Sequence, residues 1–222
     1  NDAFKPVTRY FDRITRPEQI ISSLQQALHV MLDPADCGPA CISLSQDVQG
    51  ETYDYPEEFF KERIHTIRRA KPDDFQIKEA VELIKKSKKP IIISGGGVFY
   101  SDATDELSAF AIKHNIPVTQ TVMGYSTMKK DHSHYLGVIG GLGGRAANNL
   151  SKETDTAIAI GTKLADFTTG SWANFENPNF KLVSINAARF DANKHMAQAI
   201  VGDAKVSLME LSQALGNWKA DD

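Results

Sequence analysis

The chain has 222 residues, 41% of them hydrophobic and 24% charged, a balance that excludes wholesale disorder. A formal charge of -3 gives no electrostatic reason to expect nucleic acid or an anionic membrane surface as partner. No apolar run approaches the roughly 20 residues that cross a bilayer, and Cys37 and Cys41 are too few for a disulfide framework, which fits free thiols in the cytoplasm.

The opening "NDAFKPVTRYFDR" is polar, has no signal-peptide core and does not start with Met. The expectation is a chain that begins inside something longer. "ITRPEQIISSLQQALHVML" reads as a helix: Thr15 and Glu18 have capping-box spacing, and Ile20, Ile21, Leu24, Ala27, Leu28 and Met31 form one face. "DPADCGPA" is a turn and "CISLS" (41–45) a strand. A polar stretch follows, with a basic helix expected around Glu57–Ala70.

From Pro72 a strand–helix rhythm sets in. A helix is expected from Asp73 to about Ser87, then the strand "PIIIS", then a helix over about Asp102–His114. The strand "IPVTQT" leads to a glycine-rich stretch, Tyr135–Arg145, and a helix carrying Ala146, Ala147 and Leu150. "TAIAIG" (156–161), "KLVSIN" (181–186) and "AIVGD" (199–203) are further strands, and a last helix runs over about Ala204–Leu215 to Gly216. Five short apolar strands alternating with helices predict an α/β fold, a parallel Rossmann-like sheet covered on both faces. Strand order is not readable. A boundary falls near residues 50–72.

Three stretches are candidate ligand sites. "SGGGV" joins a strand to a helix, where unpaired N–H groups and glycine's lack of a side chain suit a phosphate; a plain tight turn needs the same residues. "GVIGGLGGRAANNL" (137–150) fits G-x-G-x-x-A at Gly141, Gly143 and Ala146, with Asp166 at the distance of a ribose ligand. The strand before it is poor, so a helix N-terminus facing a pocket is the favoured reading. "GTKLADFTTGSW" (161–172) follows a strand end with Thr162, Lys163 and Asp166, either as ligand contacts or as a solvated loop. His132 and His134 lack partners to complete a metal set, and no nucleophilic triad has a local signature.

"FKPVTRY", "GPACISLSQDVQGE", "KPIIISGGGV", "IPVTQTVMG", "DHSHYLGVIG", "AIAIGTKLADFTTGSW", "INAARFDANK" and "IVGDAKVSLMEL" run in one register along the chain. Together they resemble the thiamine-diphosphate enzymes of the acetohydroxyacid synthase type. "DVQGETYDYPEEFF" and "DFTTGSW" are similar to the branch that hydrolyses trihydroxycyclohexane-1,2-dione in myo-inositol breakdown. The resemblance implies three α/β domains, the middle one a six-stranded parallel sheet. On it, residues 1–50 correspond to the end of the pyrimidine-binding domain, 51–72 to a linker, 73–216 to the central domain and 217–222 to the start of a second linker.

The resemblance further implies thiamine diphosphate and Mg²⁺ as cofactors of a longer parent enzyme, bound outside this stretch. It implies a small polyol-derived cyclic diketone as substrate and a homodimer or homotetramer as assembly. Gly95, Gly96, Gly97, Gly143, Gly144, Arg145, Thr162 and Lys163 match stretches that line a flavin crevice in relatives, here expected to be vestigial, without bound FAD or NAD. No catalytic or metal-ligating residue is expected among the 222, and the fragment alone is expected to be inactive. Alternatives are an acetolactate synthase-like enzyme with thiamine diphosphate and FAD, and a stand-alone nucleotide-binding module.

Overall fold

The computed structural model describes residues 1–221, so Asp222, the end of the expected second linker, lies outside it. The chain divides into two compact units, Asn1–Arg68 and the residues from Arg69 onward.

In the first unit, β1 (Tyr10–Ile14) pairs in parallel with β2 (Ala40–Leu44), and α1 (Ile20–Leu32) connects them. The sequence reading found α1 and β2 but not β1. Asp12 and Arg13 interrupt the apolar pattern there, and the structure shows why Asp12 is present. Its carboxylate accepts from the Ser23 hydroxyl and from Gln19 Nε2 at 3.0 Å, tying the strand to the start of α1. These bonds, that of Ser23 foremost, hold the Asp12 carboxyl below the usual aspartate range. The basic helix expected around Glu57–Ala70 is absent. Only a 3-10 turn, Glu57–Phe60, forms, and 61–73 have no regular structure. Ile64 is 91% exposed, so no apolar face exists to bury such a helix.

The second unit is built on six parallel strands: β3 (Pro90–Ser94), β4 (Val118–Gln120), β5 (Tyr135–Val138), β6 (Thr156–Ile160), β7 (Lys181–Asn186) and β8 (Gln198–Val201). Their order is β5-β4-β3-β6-β7-β8, the doubly wound order in which the chain reverses direction across the β3–β6 boundary. The residue-by-residue reading counted five strands; β5 is the sixth. It is short and at an edge, its register against β4 is irregular, and Gly137 inside it has φ +96. Each of these blurs a strand signal.

Helices α2 (Asp74–Lys85), α4 (Thr104–His114) and α8 (Ala204–Leu215) pack on one face, where Ile92, Ile158, Ile160, Val183 and Ile185 meet Ile84, Leu107, Phe110 and Leu211. The opposite face buries Ile91, Ile93, Ala157, Ala159 and Leu182 with α5 (Arg145–Glu153) and the loop that follows β6. Every residue of β3 and β6 is buried. Consecutive isoleucines in "PIIIS" thus serve both layers, each stabilising by about 1.5–3 kcal/mol. Short helices α3 (Gly96–Tyr100), α6 (Asp166–Thr169) and α7 (Arg189–Ala192) follow the strand ends. α3 differs from expectation: the helix awaited near Asp102 is preceded by a separate turn of helix that the glycines open. Asp73 caps α2 by accepting from Phe75 N–H, and Asp203 caps α8 by accepting from Lys205 and Val206 N–H.

Candidate functional site

In a doubly wound sheet, ligands settle outside the carboxyl ends of the strands where the order reverses. Here that point lies between Ser94 and Ile160. The structure brings Gly95, Gly97, Gly161 and Thr162 together there. Gly95 N–H donates to Ile160 O at 2.8 Å and Gly97 N–H to Gly161 O at 2.9 Å. A Cβ on Gly95 would lie 2.4 Å from Gly161 O, and one on Gly97 would lie 2.6 Å from Gly161 Cα. Gly161 itself has φ +59, the left-handed region that glycine adopts without strain. The glycines therefore let two chain segments touch backbone to backbone. The Gly97 N–H is engaged within the protein and is not presented to a phosphate.

The second candidate stretch behaves alike. Gly143 N–H donates to Gly140 O at 2.7 Å, and Gly144 N–H to Val138 O at 2.9 Å. Gly140 is clamped by Asn148, which accepts from its N–H at 2.9 Å and donates to its carbonyl at 3.1 Å. Gly141 N–H donates to Phe167 O at 2.9 Å, so this loop lies on α6. Two stretches singled out separately in the sequence, 137–150 and 161–172, are thus one packed substructure. Arg145 opens α5 and is exposed, as is Asp166 at the start of α6.

Thr162 uses its hydroxyl to accept from Leu164 N–H at 3.2 Å, and its carbonyl accepts from Asn186 Nδ2 at 3.2 Å. Lys163 Nζ lies 4.0 Å from Asp191 Oδ2, and Lys194 Nζ lies 2.6 Å from the other oxygen of that carboxylate. Beneath the turn sits a polar group that sequence reasoning missed. Ser94 and Thr127 share a 2.6 Å bond, and Gln120 Nε2 donates to Thr127 Oγ1 at 3.1 Å and Met128 O at 3.2 Å. All three residues are buried. Their mutual bonds satisfy them, so they fix the strand ends. Ser94 and Gln120 sit in the expected strands "PIIIS" and "IPVTQT", whereas Thr127 carried no signal. Phe99, Tyr100, Met123, Leu142 and Phe190, each in a loop or short helix beyond a strand end, are exposed.

His132 and His134 do not converge on a metal. His132 Nε2 bonds Ser108 Oγ at 3.0 Å, and His134 Nε2 bonds Asn115 Oδ1 at 3.2 Å. Among the described residues no group of three His, Cys, Asp or Glu side chains is placed to hold a metal ion. Cys37 is exposed, Cys41 is half-buried, and both are free thiols. Among the described residues no helix is long and apolar enough to cross a membrane. A shallow groove of about 420 Å³ lies at the opposite edge of the sheet, beside the starts of β6, β7 and β8. It is lined by Glu82, Lys86, Asp155, Lys181 and Gln198. Asp155 is committed there to bonds from Ser87 Oγ and from Lys88 and Lys89 N–H.

Comparison with known proteins places this architecture. The chain spans about a third of the length of the curated relatives it matches. The 3D-(3,5/4)-trihydroxycyclohexane-1,2-dione hydrolase of Clostridium perfringens strain 13 is 48% identical over 215 residues, covering 97% of this chain and 34% of the relative. The protein of that name from Bacillus subtilis strain 168 is 48% identical over 221 residues, covering 100% of this chain and 35% of the relative. A solved chain from Mycobacterium smegmatis, described as a thiamin diphosphate-dependent enzyme, superposes with a TM-score of 0.76 at 20% identity. It covers 98% of this chain and 41% of that one, and shares the fold. Residues 77–211 match the family model of the thiamine pyrophosphate enzyme central domain. The chain thus belongs to the thiamine pyrophosphate enzymes, and its six-stranded sheet is their central domain.

Proposed function

We propose that this chain is the central portion of a thiamine-diphosphate-dependent hydrolase that cleaves a C–C bond in a cyclic 1,2-diketone, trihydroxycyclohexane-1,2-dione of inositol breakdown. One observation carries the reading: 48% identity to hydrolases of that name extends over 97% to 100% of the chain, well outside the residues 77–211 of the family model. Residues 1–50 are read as the end of the pyrimidine-binding domain and 51–72 as a linker. Mg²⁺ is read as the partner of the cofactor's diphosphate, and a homodimer or homotetramer as the assembly.

The residues described do not build a thiamine diphosphate site. Among the described residues no group of three His, Cys, Asp or Glu side chains gathers, and the N–H groups of Gly97, Gly143 and Gly144 are bonded internally. No catalytic step is therefore assigned to them. Their role is to fix strand ends, and Gly95–Gly97, Gly143–Arg145, Thr162 and Lys163 are read as a closed, inherited crevice.

The test uses the whole native polypeptide, stripped of metal and cofactor, with the cyclic diketone as substrate. Ring opening is expected only when both thiamine diphosphate and Mg²⁺ are restored, and none from residues 1–222 alone. Activity without thiamine diphosphate, or in the 222-residue chain by itself, overturns the reading. The doubly wound order and the exposed Phe99, Tyr100 and Phe190 favour one second reading, an acetolactate synthase-like enzyme carrying FAD. That enzyme would copurify with flavin and condense pyruvate.

A further inference from the structure

The segment after α8 does not leave the second unit freely. Ala220 is buried, and its N–H donates to His114 O at 2.9 Å. Asn115 Nδ2 donates to Ala220 O at 3.2 Å. The His114 side chain, wholly buried at the end of α4, makes the third tie: Nδ1 lies 2.8 Å from Trp218 O. A carbonyl only accepts, so Nδ1 carries the proton. In the neutral ring Nε2 is then the acceptor, and Ser212 Oγ, at 3.1 Å, donates to it. Ser212 in turn accepts from Lys113 Nζ at 3.1 Å. The bonds run in one direction, Lys113 to Ser212 to His114 to Trp218.

We propose that His114, Ser212 and Trp218 form an acid-sensitive clasp that holds residues 216–221 on the central domain while the imidazole is neutral and loosens when it is protonated. A proton on Nε2 turns that atom into a donor aimed at Ser212 Oγ. The hydroxyl oxygen then faces two cations, the imidazolium and Lys113. Among the described residues Lys113 on α4 is the charge that acts on the ring, and Lys219 and Asp221 on the segment itself are exposed. Phe110 and Trp218 flank the ring, at 4.6 and 6.3 Å between centroids, and give it no counter-charge. Burial, the largest effect, and the Lys113 charge push the imidazole below its ordinary range, against the bond to the Trp218 carbonyl, which favours the charged ring. His134, which reaches the segment through Asn115, is pushed the same way by burial and by His132.

Trp218 reports on the clasp, and in the 222-residue chain Trp172→Phe removes the one other tryptophan. Acrylamide quenching of Trp218 is followed in that variant from about pH 8 down to the lowest pH at which the fold persists, through the range where histidine takes its proton. Quenching is expected to rise on acidification in one step, to stay flat when His114→Gln is added, and to keep its step with His134→Gln. A flat profile with His114 intact, or a step that survives His114→Gln, overturns the proposal. If Trp172→Phe does not fold, histidine and indole NMR on the unaltered chain decides: the His114 ring and the Trp218 indole resonances must move with one midpoint, and independent movement overturns it.

Discussion

The parallel pairs β1–β2 and β3–β6 share one hydrogen-bonded design, and they differ in what surrounds them. β1–α1–β2 buries Ile14, Ser23 and Ala27, and its strand residues are otherwise half-buried or exposed. In the central domain, β3 and β6 are buried at every position, and their ends close glycine against glycine at Gly97 and Gly161. The motif is therefore not what sets stability. A parallel pair becomes rigid when further strands flank it and helices cover both faces. The same junction engages the Gly95 and Gly97 N–H groups within the protein.

The largest effect that sharpens this contrast is expected from Ile158→Ala. It empties a wholly buried site between layers and should cost about 4 kcal/mol, read as a lower urea midpoint for the central domain. Equal loss of the β1 and β2 signals in the same titration would show that the two units are not separable in stability. Next comes Gly97→Ala, where the added carbon would lie 2.6 Å from Gly161 Cα. A cost of about 2 kcal/mol is expected, because backbone and not a flexible side chain must move. An unchanged urea midpoint would mean that the junction has slack.

Asp12→Asn probes the thinner crossing through its polar tie, with an expected cost of about 1 kcal/mol at neutral pH. The sign with pH follows from a carboxyl held below the usual value. Its contribution is present above the unfolded-state value of 3.8 and is lost as pH falls through the lower folded-state value. Denaturation of the variant and the unaltered chain should therefore converge in acid, and a constant gap would refute the assignment. The smallest effect is expected at Gly50, which has open space around it. Gly50→Ala should stay within about 0.5 kcal/mol.

Much of the fold was legible because periodicity and caps agreed. "KLVSIN" matched β7 residue for residue, and Gly216 marked the end of α8. What escaped were elements whose residues serve a tie rather than a layer. β1 was hidden by Asp12, which bonds Ser23 and Gln19, and β5 by Gly137. The basic helix failed in the other direction, since charge spacing without an apolar face does not fold a helix. The family was legible from ordered motifs. The engagement of the Gly97 N–H was not, because its partner, Gly161 O, lies 64 residues on in the chain. The Ser94–Gln120–Thr127 group was equally invisible, being assembled from three positions 7 to 33 residues apart.

The proposed function, carried by the identity to the hydrolases, has a structural corollary at the Gly97–Gly161 junction: on that reading the glycines of the central domain serve packing and hold no nucleotide. Calorimetric titration of the 222-residue chain with FAD, NAD and ADP tests it directly. The account predicts no saturable heat with any of the three. Binding near 1 μM, about −8 kcal/mol, that is lost on Gly97→Ala would contradict it and make "SGGGV" a working nucleotide site.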